Sequence, residues 1–108
     1  MPVAFSGTGK VIKKHYIESG RQKVNNAGHA KALSDEELVV DYIIIVAESD
    51  NTDRVVVGAE NVKAEAGKEK GIPLSAGGQL LTLYSVNLAE IYVDAVVDDE
   101  GVTYFYAY

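Results

Sequence analysis

Apolar residues along this chain recur every second position or in short unbroken runs, and nowhere do they sustain the 3.6-residue period of a helix. The longest run, Tyr42-Ile43-Ile44-Ile45-Val46-Ala47, closes a β-branched stretch over residues 39–47. It is apolar at both parities, which predicts a strand covered on two faces or placed centrally in a sheet. Residues 49–53 are turn-forming by composition, and Arg54-Val55-Val56-Val57-Gly58 returns as a second strand, most simply as the other half of a hairpin. Ile72-Pro73-Leu74 is short and holds a proline that cannot donate to a ladder, so it belongs at a sheet edge. Residues 79–84 form the next strand. Ser34-Asp35-Glu36-Glu37 has the spacing of a helix capping box, yet the β-branched run after it allows one turn at most.

The C-terminal pattern is the clearest to read. Two strand patterns, residues 91–97 and 102–108, flank Asp98-Asp99-Glu100-Gly101, whose aspartate first and glycine fourth suit a type I turn. A hairpin with Val97 facing Val102 pairs Ala95 with Tyr104, Val93 with Tyr106 and Ile91 with Tyr108, setting small residues against large rings.

About six short strands with glycine and polar turns between them predict an all-β fold, a small β-sandwich or jelly-roll-like barrel. The opening stretch lacks clear periodicity and carries Gly7, Gly9, Gly20 and Gly28. It reads as an extended N-terminal arm over residues 1–27, with one short strand over 10–17, ahead of a sandwich domain over 28–108.

Composition adds an asymmetry. With 108 residues, 47% hydrophobic and 24% charged, the chain has the makeup of one globular domain, and no run approaches the ~18 apolar residues of a membrane helix. No basic region followed by an apolar stretch marks a secretory signal. Cysteine is absent, which removes disulfides, thiolate metal sites and cysteine nucleophiles. The net charge is −6, but residues 1–31 hold six bases against one acid, whereas residues 32–108 hold four bases against fifteen acids. A basic head precedes an acidic body.

Candidate chemistry is sparse. His15 and His29 lie too far apart for a local metal motif. Ser6-Gly7-Thr8-Gly9-Lys10 lacks the glycine spacing, the following hydroxyl residue and the preceding strand of a phosphate loop. The acidic groups Asp50-Asn51-Thr52-Asp53 and Asp98-Asp99-Glu100 lack calcium-loop spacing and read as solvated turns. Tyr84, Tyr92, Tyr104, Phe105, Tyr106 and Tyr108 lie in the acidic part, where phosphate is repelled, so nucleic acid is not the expected partner. A protein or carbohydrate contact stays open, as does plain closure of the core. No catalytic residue, metal ligand or cofactor site is expected, and no membrane contact.

The arm has the residues for attachment. Phe5, Val11, Ile12, Tyr16 and Ile17 are apolar anchors among the bases Lys10, Lys13, Lys14, Arg21 and Lys23. Exposed ion pairs contribute only about 0.2–1 kcal/mol each, so firm attachment needs the apolar residues as well, at roughly 1.5–3 kcal/mol for each one fully buried.

Val55-Val56-Val57-Gly58 through Asn61-Val62, then Gly71-Ile72-Pro73-Leu74 with Ala76-Gly77, Asn87-Leu88 leading into Ile91-Tyr92-Val93-Asp94-Ala95, and the closing strand from Val102 to Tyr106 form an ordered set. As a set they resemble small β-rich proteins encoded among the virion structural genes of tailed bacteriophages. The resemblance implies a non-enzymatic part of the particle: a head decoration or cement subunit, on the virion head surface and assembled in the bacterial host cytoplasm. Its partner would be the major capsid protein or another virion protein, and the subunit a homo-oligomer, with a trimer among the options. A neck or tail component is the alternative within that class, and a host-surface carbohydrate-binding module the alternative outside it. The arm lies outside the matched stretch.

Overall fold

The computed structural model describes residues 16–108 in full and, before them, the backbone pairing of two short strands, β1 (Ala4–Phe5) and β2 (Val11–Ile12). Eight strands follow: β3 (Ile17–Val24), β4 (Lys31–Ala32), β5 (Val39–Ala47), β6 (Val55–Gly58), β7 (Ile72–Leu74), β8 (Leu80–Asn87), β9 (Tyr92–Ala95) and β10 (Glu100–Ala107). They form two four-stranded sheets, β3-β10-β5-β8 and β4-β9-β6-β7, with every pairing antiparallel.

The pairing is nested. The first of the eight strands pairs with the last (β3 with β10), the second with the seventh (β4 with β9), the third with the sixth (β5 with β8) and the fourth with the fifth (β6 with β7). Such a set is one long hairpin rolled until its halves face each other, and its strand order is that of the eight-stranded jelly roll. The fold is therefore an all-β sandwich, as the strand pattern predicts.

Each inner face supplies alternate residues to one core. Ile43, Ile45 and Ala47 of β5, Val102 of β10 and Val24 of β3 meet Val55 and Val57 of β6, Val93 and Ala95 of β9 and Leu74 of β7. A smaller cluster of Val56, Val62 and Ala64 fills the space beneath the loop after β6. β5 is central, between β10 and β8, and proline-bearing β7 lies at an edge, both in keeping with the pattern. Residues 34–37 form no helix, since the Ser34 hydroxyl accepts a hydrogen bond from the Glu36 amide at 3.0 Å and turns the chain. Among the described residues the helical content is one 3-10 turn, Leu88–Glu90, capped by the Asn87 side chain.

Three expectations change. β9 and β10 are not a hairpin: β9 pairs with β4 and β6, and β10 with β3 and β5. Residues 96–99 cross between the sheets, so Val93 and Val102 enter one core from opposite sheets. β5 and β6 are split between the sheets in the same way. In both cases alternation marks the buried face of a strand, and that face is satisfied equally by a sheet packed opposite. Finally, the boundary at residue 27 falls too late. β3 pairs with β10 over its whole length, from Ile17↔Ala107 to Val24↔Glu100, and Val24 is in the core.

Candidate interaction surface

The outer face of the first sheet presents an ordered array of largely apolar side chains outside the core. Strand register aligns its outward residues in three rows: Arg21, Thr103, Val46 and Leu80; Ser19, Phe105, Ile44 and Thr82; Ile17, Ala107, Tyr42 and Tyr84. The twelve positions contain no acid and one base, Arg21. The Tyr42 and Phe105 rings meet edge to face at 6.3 Å and stiffen the middle. Ile17, Leu80 and Tyr84 remain exposed at the rim, Tyr84 at 72%. Outward apolar positions on β5 follow from a run that is apolar at both parities, so part of this face is written in the sequence.

Arg21 and Lys23, expected to serve a partner, are used within the chain. Glu48 is buried to 5% exposure, with Arg21 Nε 2.5 Å from its Oε2 and Lys23 Nζ 3.4 Å from its Oε1. Oε1 makes no hydrogen bond, so the Lys23 ammonium is what compensates it. Lys23 also donates to the Asp99 carbonyl at 2.9 Å. Tyr16 exchanges two backbone hydrogen bonds with Tyr108, at 3.0 and 2.9 Å, and its ring stacks on that of Tyr108 at 5.5 Å. Ile17 begins β3 at a corner of the outer face. Lys10, Lys13 and Lys14, and the side chains of Phe5, Val11 and Ile12, lie outside the described residues.

The acidic turns are more organised than solvated loops. Glu100, nearly buried, accepts from the Thr52 amide at 2.6 Å, the Thr52 hydroxyl at 2.8 Å and the Asp53 amide at 3.1 Å. Asn51 donates to the Gly101 carbonyl at 2.9 Å and accepts from its amide at 3.3 Å. Asp94 has no exposed surface and accepts from the amides of Gly28, Ala64 and Ala95 at 2.8–2.9 Å, tying two loops to β9. These carboxylates are occupied by backbone donors, which is a structural use of charge. The one sequence signal was Asp94 itself, an acid inside an apolar strand pattern. Among the described residues no group of three His, Asp or Glu side chains could hold a metal ion, and no helix is long and apolar enough to cross a membrane.

Four tyrosines stand in a file. Tyr104 and Tyr106 stack at 6.0 Å, Tyr106 and Tyr108 lie 5.8 Å apart, and Tyr16 continues the row. Burial first, and then the negative charge of Glu18, raise the Tyr104 and Tyr106 hydroxyl pKa values above the ordinary tyrosine value.

Compared with known proteins, the chain matches no family model, no curated protein and no solved structure.

Proposed function

We propose that this chain is a structural subunit of a tailed-phage virion, a head decoration or cement protein held on the outer shell through its N-terminal segment. The observation that carries this reading is the acid-free, largely apolar outer face of the first sheet, with Arg21 as its one charge, on a domain whose buried carboxylates are tied down rather than gathered in a cleft. A surface of that kind serves contact with protein. The attaching segment is residues 1–15, because Tyr16 and everything after it is committed to the sandwich. Its lysines, Lys10, Lys13 and Lys14, suit an acidic shell surface. A place at the neck or tail would use the same contacts.

The test is to locate the chain in purified particles by mass spectrometry and electron microscopy, then compare the full chain with one lacking residues 1–15. Density on the head surface, lost with the truncated chain while the domain stays folded, supports the reading. Undiminished occupancy by the truncated chain removes the segment's role, and absence from particles removes the reading itself.

A second reading, a carbohydrate-binding module, draws on the tyrosine file, since Tyr16 and Tyr108 present exposed rings at one end. Glycan-array binding that is lost in Tyr16→Ala and kept after removal of residues 1–15 would favour it.

A further inference from the structure

The sandwich has four edge strands, and three are protected against pairing with another chain. β3 carries Glu18, Arg21 and Lys23, β4 is two residues long, and β7 is three residues long with Pro73 in its middle. β8 has none of these devices. Its eight residues include no charge and no proline, and the loop leading into it, residues 75–79, is uncharged too. Ser85, with φ +52°, interrupts the ladder opposite Asp41 and limits the regular edge to residues 80–84.

We infer that β8 pairs antiparallel with β8 of a second copy about a two-fold axis through Thr82, joining two four-stranded sheets into one of eight. The sequence of this edge is self-complementary in that register. Leu80 faces the other copy's Tyr84 on the outer side, Thr82 faces Thr82, and Leu81 faces Leu83 on the inner side. Aromatic–aliphatic and threonine–threonine pairs are favourable neighbours across antiparallel strands. The two most exposed large side chains of β8, Tyr84 at 72% and Leu80 at 59%, cover each other in this register. A second copy is the fitting occupant because a two-fold contact places each residue beside its own kind or its symmetry mate. For a chain of net charge −6, such a contact is tolerated only where the edge is uncharged. A two-fold pair also takes precedence over a trimer, since strand-to-strand pairing of identical edges closes at two.

The chain has no cysteine, which makes the register directly testable. Opposed residues in an antiparallel pair have Cα atoms about 4.5 or 5.5 Å apart, inside the disulfide range of about 4.4–6.8 Å. Under mild oxidation the full chain carrying Thr82→Cys should become a covalent dimer much faster than one carrying Ser19→Cys, which lies on the same face but on β3. Sedimentation equilibrium of the parent chain should show a monomer–dimer equilibrium, lost in Thr82→Lys, which sets two ammonium groups against each other at the axis while leaving the melting temperature of the dilute, monomeric chain in place. A parent chain that is monomeric up to millimolar concentration overturns the inference, as does Thr82→Cys crosslinking no faster than Ser19→Cys. Both measurements use purified chain without particles, so their failure leaves the attachment reading standing.

Discussion

Gly20 lies beneath the ring of Tyr104. The two are Cα partners across β3 and β10, and a Cβ on Gly20 would fall among Cζ, Cε1 and the hydroxyl oxygen of that ring. The ring has little freedom to move away, because its hydroxyl donates to the Leu33 carbonyl at 3.2 Å and its face stacks on Tyr106. Gly20→Ala should therefore cost about 1–3 kcal/mol by overpacking, read as a lower chemical-denaturation midpoint. In a Tyr104→Ala background the same substitution should cost much less, and equal costs in the two backgrounds would contradict the contact.

Asp94→Ala should be among the most damaging single changes. It strands the amides of Gly28, Ala64 and Ala95, and a buried donor left unpaired costs roughly 1–3 kcal/mol. Hydrogen exchange should show lost protection at Gly28 and Ala64 before β5 is affected. Unchanged exchange at both amides would refute the role assigned to Asp94.

Four of the N-terminal bases should separate into two functional pairs, Arg21 with Lys23 and Lys13 with Lys14. Replacing Arg21 and Lys23 together leaves Glu48 buried without compensation and should lower stability by about 1–2 kcal/mol, a value held down by the exposure of both partners. Replacing Lys13 and Lys14 should leave the melting temperature unchanged and weaken attachment to particles chiefly at low salt.

Truncation should be sharply position-dependent. Removing residues 1–15 keeps β3 whole, and far-ultraviolet circular dichroism should show a folded β domain. Removing residues 1–20 deletes the pairing of Ile17 through Gly20 with Ala107 through Tyr104 and should unfold the chain or lower its melting temperature steeply. Equal stability of the two truncations would mean that β3 contributes nothing to the sandwich.

Stability should fall in alkali. The Tyr104 and Tyr106 hydroxyls titrate above the ordinary value near 10 in the folded chain, with burial as the main cause. A folded-state pKa raised above the unfolded one stabilises fully below the unfolded value, and that contribution is lost as pH rises through the folded one. The melting temperature should accordingly hold from neutrality to about pH 10 and drop beyond it. The double variant Tyr104→Phe, Tyr106→Phe should flatten that drop, and an unaltered slope would exclude these two groups as its source.

Local pattern in the sequence was enough to place most strands of this protein and, for the last two, the buried face. The apolar run of β5 marked a central strand, Pro73 marked an edge, and the absence of a 3.6-residue period excluded a helical core. Partnership between strands was not legible, because alternation records which side of a strand avoids water and is indifferent to what covers it. Val93 and Val102 satisfy the same pattern whether they sit in one hairpin or enter one core from opposite sheets. Only the nested topology brings β3 to β10 across nearly the whole length of the chain, and in doing so it turns the supposed inner part of an arm into an edge of the sandwich. The same holds for the acids. Glu48 and Glu100 look like the exposed acids in sequence, Asp94 differs from them only by standing inside an apolar strand pattern, and all three become structural only when tertiary folding brings distant amides, or the guanidinium of Arg21 and the ammonium of Lys23, within hydrogen-bond or ion-pair reach. Residue type sets what a group can bond to, and chain topology sets which partner arrives.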